Sequence, residues 1–165
     1  MAARHKLLAA SVFLVFAFAH VSVALGVDKG KAKYVGGTMA SIPDQTEGPI
    51  DLKGSEKLVF TPKKGSSLEI PWASIQEIEY GQKVGRRIKS AIFLSPIAIF
   101  AKARKHFVTI SFKDADGKDQ AAVFEFDKND IRQNLTIFKV RTGKEITYQD
   151  EEAKKQMGSG SESKK

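Results

Sequence analysis

Phe107-Val108-Thr109-Ile110-Ser111-Phe112 and Ala121-Ala122-Val123-Phe124-Glu125-Phe126 flank the turn Lys113-Asp114-Ala115-Asp116-Gly117-Lys118-Asp119. The first run alternates cleanly, with Phe107, Thr109 and Ser111 opposed to Val108, Ile110 and Phe112. The second sets Val123 against Phe124 and Phe126. A period of two means extended chain, because successive side chains of a strand point to opposite faces. Asp116-Gly117 between two such runs is a strong hairpin signal, so the pair is expected to be antiparallel.

The same reading extends to both sides of this hairpin. Upstream, Leu58-Val59-Phe60 lies between Gly54-Ser55 and Pro62, Leu68 to Pro71 follows Gly65-Ser66-Ser67, and Ile75, Ile78 and Tyr80 follow Trp72 with polar residues between them. Each reads as a short strand. Downstream, Ile131, Leu135, Phe138 and Thr142 recur at steps of four, three and four, which places them on one face of a helix. Asp127, with Asp130 three residues on, is the expected cap, and Gly143 the expected stop. A last strand is expected over 145–148. Several antiparallel strands followed by one amphipathic C-terminal helix define an α+β fold, in which the helix covers an open edge or end of a bent sheet.

The run Leu68-Glu69-Ile70-Pro71-Trp72-Ala73-Ser74-Ile75-Gln76-Glu77-Ile78, followed by a basic insertion, the Asp-Gly hairpin and the terminal helix, resembles bacterial pleckstrin-homology-like or GRAM-like domains. The resemblance covers about residues 35–148 and lies in hydrophobic pattern and element order. It implies a strongly bent antiparallel sheet or partial β-barrel capped by Ile131, Leu135 and Phe138. It also implies binding of phosphoinositides, peptides or protein partners. Fold alone does not assign function, and the resemblance supplies no ligand residues that map onto this chain.

Arg4, His5 and Lys6 precede an apolar run from Leu7 to Leu25 that ends in Ala24-Leu25-Gly26. This is the pattern of a secretory signal with a small-residue cleavage site, so residues 1–26 are expected to be removed and the chain exported to the periplasm or beyond. The alternative is an uncleaved signal anchor, since the 19 residues of this run approach the ~20 that a membrane span needs. Cleavage would leave 139 of the 165 residues. They divide into a domain over 34–149, carrying an insert at 83–105, and a charged tail over 150–165 expected to be disordered. The chain has no cysteine. An exported fold of this kind rests on apolar burial rather than disulfides, and thiol chemistry is excluded.

Charge is distributed unevenly. The formal charge of +8 falls to +6 when Arg4 and Lys6 leave with the signal, yet Lys83, Arg86, Arg87, Lys89, Lys102, Arg104 and Lys105 alone carry seven positive charges with no acid among them. The rest of the mature chain sums to −1. Between the clusters lies Ser90 to Ala101, a mostly apolar run of twelve residues interrupted by Pro96. It is too short to span a bilayer. Its apolar side chains can pack in the domain's own core, insert in a membrane, or dock on a partner, a second copy included. The flanking cations favour the membrane, because each one near an anionic surface contributes roughly 1 kcal/mol. Arg86, Arg87, Lys89, Lys102, Arg104 and Lys105 are therefore the expected phosphate contacts, with Phe93 and Leu94 as the inserted groups. Nucleic acid is not expected, since the run offers Ile, Leu and Phe in place of polar readers and exposed stacking rings.

Reaction chemistry is hard to find. His106 is the one histidine beyond the leader, which leaves no histidine pair for zinc, and there is no GxSxG elbow. His106 reads as a strand-edge residue beside the basic cluster. Asp114, Asp116 and Asp119 miss the calcium-loop spacing, because glycine falls at the fourth position where the sixth is required. Gly81 to Gly85 lacks the lysine and serine of a phosphate loop. Asn134-Leu135-Thr136 matches a glycosylation acceptor but lies in the expected helix. Trp72 and Tyr80 read as packing residues. The expectation is a non-enzymatic binding module without cofactor or metal that meets anionic phospholipid peripherally. The alternative is an assembly or structural module of the cell envelope with no lipid binding.

Overall fold

A computed structural model describes residues 30–82 and 105–158. Eight strands, β1 (Gly30–Gly37), β2 (Thr46–Asp51), β3 (Lys57–Phe60), β4 (Leu68–Pro71), β5 (Ile75–Gly81), β6 (His106–Lys113), β7 (Asp119–Phe126) and β8 (Ile146–Tyr148), form one sheet in the order β4-β3-β2-β1-β7-β6-β5-β8. Two helices, α1 (Ile131–Thr142) and α2 (Glu151–Gly158), complete an α+β fold. The strands expected from alternation are present, and β6 and β7 pair antiparallel in register from His106↔Phe126 to Lys113↔Asp119. Gly117 takes φ +77° in their turn, the left-handed region that glycine enters without penalty. The Asp114 carboxylate accepts hydrogen bonds from the Asp116 and Lys118 amides at 3.0 and 2.9 Å and from Gln120 at 2.8 Å. These bonds, Gln120's first, hold its pKa below the ordinary carboxylate range.

The sheet is strongly bent. Phe60 on β3 and Phe124 on β7 are separated by β2 and β1, a span of about 14 Å across a flat sheet at ~4.8 Å per strand. Their ring centroids nevertheless lie 5.1 Å apart, edge to face. Tyr34 joins them from β1, 5.9 Å from Phe124. This curl wraps one face of the sheet around a core that includes Ile50, Leu58, Ile70, Ile78 and Ile110. Helix α1 closes the core with Ile131, Leu135 and Phe138. Phe138 meets Trp72 at 5.9 Å and Phe126 at 6.4 Å, both near perpendicular, so one ring bridges β7 and the turn after β4. The Trp72 indole N–H donates to the Gly54 carbonyl at 2.8 Å, and Arg141 Nη2 to the Lys53 carbonyl at 2.7 Å.

Several expectations are corrected. The domain, expected to begin at residue 34, starts earlier, since β1 begins at Gly30. Alternation is hard to see there and in β2 because Gly, Lys, Glu and Pro dominate both. The sheet is not wholly antiparallel, since α1 carries the chain across and β8 pairs parallel with β5. Asp127 does not cap α1 from its side chain. Its Oδ1 instead accepts the Asn129 amide at 2.8 Å, in a turn that precedes Asp130. The stop is as expected: Gly143 takes φ +66° and donates to the Lys139 carbonyl. Among the described residues there are two α-helices rather than one, because the segment read as a disordered tail carries α2. Asp150 Oδ1 caps its Ala153 amide at 2.8 Å, and the Ala153 side chain is fully buried. Finally, β6 is buried on both faces: Phe107, Thr109 and Ser111 are enclosed as well as Val108, Ile110 and Phe112.

Candidate functional site

One end of the bent sheet is an open cleft of about 1140 Å³. It gathers the start of β1, the end of β2, the start of β6, the end of β7 and the first turns of α1. The β1 register puts Gly30 opposite Ile50 and Ala32 opposite Phe126, so these chain ends meet by strand pairing rather than by loop placement. Lys31 and Lys33, two apart on β1, share a strand face and lie across from Pro49 and Glu47 of β2. The lining holds six lysines (31, 33, 53, 63, 105 and 128) against four carboxylates (Glu47, Glu125, Asp127 and Asp130). The described residues as a whole carry sixteen lysines and arginines against seventeen acids. The cleft is thus a local cationic surplus on a nearly neutral domain.

The surplus is concentrated on the β1–β2 side. Lys63 donates to Glu47 Oε2 at 3.1 Å, and this bond and charge hold the Glu47 carboxyl below its ordinary range, helped by Lys33 and Lys31. Lys63 is bonded to this carboxylate, and Lys33 stands in register between it and Glu125 of β7. On the β6–β7 side charges balance, since Lys105 Nζ contacts both Glu125 oxygens at 2.8 Å. Ala32, Pro49, Ile50, Leu52, Phe126 and Ile137 also line the cleft, with Ala32 and Ile50 on the core face of their strands, opposite to Lys31, Lys33 and Glu47.

No family model matches this chain, and no curated protein does.

His106 is not a strand-edge residue. It opens a central strand, is buried, and lines the cleft from β6. Its Nδ1 lies 2.7 Å from the Tyr80 hydroxyl, and the two rings stack with centroids 6.0 Å apart. Burial lowers the His106 pKa below 6.5, opposed by Asp127 and aided by Lys128. Burial pushes the Tyr80 phenol up to about 12, with Tyr148 adding to the effect. Both groups are neutral at pH 7. They pin together the two strands between which the basic segment runs.

Of the sequence-derived contacts, Lys105 lines the cleft as the ion partner of Glu125. Arg86, Arg87, Lys89, Lys102 and Arg104, with Phe93 and Leu94, lie outside the described residues, as does the expected signal at 1–26. Asn134, the glycosylation candidate, is buried on α1. Trp72 and Tyr80 are core residues. Among the described residues no group of three or more His, Asp or Glu side chains could hold a metal, and no helix is long and apolar enough to cross a membrane. Sequence reasoning missed Lys31 and Lys33 on β1, Lys53 after β2 and Lys63 after β3, because they are scattered over 31–63 and converge only through strand pairing. The two-residue spacing of Lys31 and Lys33 was the available signal, legible once that stretch is known to be extended.

Proposed function

We propose that this protein is an exported, non-enzymatic binding module of the pleckstrin-homology-like kind that associates peripherally with anionic membrane lipid. The observation that carries this reading is the cationic cleft at the end of the sheet where residues 83–104 join the fold. Chain enters that segment after Gln82 and returns at Lys105, and Lys105 and His106 themselves line the cleft. Six further cations and no acid stand in the segment. A lipid surface rewards such clustering, since every phosphate-facing cation adds roughly 1 kcal/mol and the sum falls as salt screens it. Arg86, Arg87, Lys89, Lys102 and Arg104 meet phosphates, while Phe93 and Leu94 enter the acyl boundary. The bent sheet closed by α1 supports the family assignment by architecture alone.

Co-sedimentation of residues 27–165 with vesicles across a salt series tests this. Binding to phosphatidylglycerol vesicles that fades with salt, and is lost when Arg86, Arg87, Arg104 and Lys105 become glutamine, is the expected result. Equal binding to neutral vesicles, or none by folded protein, ends the electrostatic reading and leaves an envelope assembly module in its place.

A further inference from the structure

The bent sheet has a second apolar face. Strands β6 and β7 pair so that Phe107, Thr109 and Ser111 stand opposite Glu125, Val123 and Ala121, all on the side away from the core residues Val108, Ile110, Ala122 and Phe124. An antiparallel sheet that leaves one face to water alternates buried with exposed side chains. This face does not: Phe107 is 2 % exposed, Thr109 7 %, Ser111 4 %, and Ala121 and Val123 0 %. Among the described residues neither helix accounts for that, since α1 packs on the core side through Ile131, Leu135 and Phe138 and α2 along β8 at the edge of the sheet. Two acids border the apolar patch. Glu77 and Glu79 of β5 pair with Ser111 and Thr109, share their face, and are half-buried.

We propose that residues 83–104 of this chain cover this face, the apolar run 90–101 lying on Phe107, Thr109 and Val123 and its basic flanks on Glu77 and Glu79. The segment begins after Gln82 and ends before Lys105, and Gly81 pairs with Phe107, so both of its ends lie at the margin of the patch. The twelve residues of the run reach about 18 Å as a helix and about 40 Å extended, against about 13 Å from Phe107 to Ser111 at ~3.3 Å per residue. Six cations and no acid stand in the segment, which complements a face whose β5 margin is acidic. The other long apolar run, residues 7–25, contains no lysine or arginine to set against Glu77 and Glu79. This goes beyond the membrane reading and does not rest on it. In water the run lies on the sheet, and a vesicle offers the same run and cations acyl chains and phosphates instead.

The chain has no cysteine, so a single introduced thiol reports on the face. Thr109→Cys is made in the full chain and labelled with a maleimide. Ala122→Cys, on the core face, is the control for folding, with Trp72 fluorescence beside it. Slow labelling at both positions is expected in the intact chain. Replacing residues 90–101 by a Gly/Ser stretch of equal length is expected to speed labelling at 109 roughly tenfold or more while 122 stays protected. Glu77→Gln/Glu79→Gln, which keeps every apolar side chain, is expected to speed it several-fold, and decides the matter if the replacement unfolds the domain. Unchanged labelling at 109 in either background overturns the proposal. So does protection lost on removal of residues 1–26, which would make the leader the occupant, or lost on dilution, which would make it a second copy. No lipid is present, so vesicle binding can fail with this proposal intact, and protection at 109 can prove independent of the segment with vesicle binding intact.

Discussion

Replacing Phe138 by alanine removes the ring that joins α1 to both arms of the bent sheet. Phe138 is fully buried, and its ring meets Trp72 and Phe126 edge to face. Burying and then deleting such a ring costs about 3–5 kcal/mol. Against the ~5–15 kcal/mol that holds a domain of this kind together, that is a large share. Trp72 is the only tryptophan in the chain, is itself buried, and lies against the deleted ring. Its fluorescence during urea unfolding therefore reports on the contact under test. With a urea slope of ~1.5 kcal/mol/M, a loss of ~4 kcal/mol lowers the midpoint by about 2–3 M. Phe138→Leu keeps most of the buried carbon and forfeits the two aromatic pairs, worth ~0.5–1.5 kcal/mol each. It is expected to shift the midpoint about half as far and remain measurable if the alanine variant fails to fold. A midpoint within about 0.5 M of wild type for Phe138→Ala, at unchanged slope, would mean that α1 does not close the core as described.

The His106 pKa is depressed in the folded state, so the unfolded chain takes up the proton first: stability is at its full value above pH 6.5 and falls as pH descends through the folded pKa. His106→Gln should flatten the urea midpoint between pH 7.5 and 5.5, and an equal slope in wild type and variant would show that the buried imidazole is not responsible. Ala153→Glu should undock α2, because the side chain at 153 has no exposed surface; tryptic cleavage after Lys154 and Lys155, slow in the parent, is expected to become rapid, and equal rates would place α2 off the domain. Gly48→Ala should destabilise the β2–β3 crossing severely, since an added Cβ would approach the Pro62 Cα to 2.9 Å and the Thr61 carbonyl more closely still. A thermal midpoint equal to the parent's would argue against that close approach.

Local pattern was sufficient for much of this fold. Phe107 to Phe126 had a clear period of two and an Asp-Gly turn, and Ile131 to Gly143 a clear helical face and a left-handed stop, so those elements were legible from the chain alone. Beta1 and β2 were not, because Gly30, Gly36, Gly37, Gly48 and Pro49 interrupt the pattern that a strand normally shows. Their pairing is set by neighbours: β1 is held between β2 and β7, and tertiary hydrogen bonds override weak propensity. Helix α2 was hidden for a related reason. Its sequence is mostly charged, and what ties it down comes from elsewhere in the fold or from single residues: the buried methyl of Ala153, the Asp150 cap, Met157 against the core and the Arg132 bond to the Gln156 carbonyl.

By itself the sequence determined the strand–strand–helix order of the second half, the local excess of positive charge over 83–105, and the absence of cysteine chemistry. These depend on residues close together in the chain, where periodicity, turns and charge runs are written directly. Only the tertiary structure decided that the sheet curls until Phe60 meets Phe124, that His106 is sealed against Tyr80, and that Lys33 stands opposite Glu47 with Lys63 bonded to it. Those are contacts between residues 14 to 64 positions apart, and they exist because strand register and sheet twist, not sequence neighbourhood, bring the side chains together.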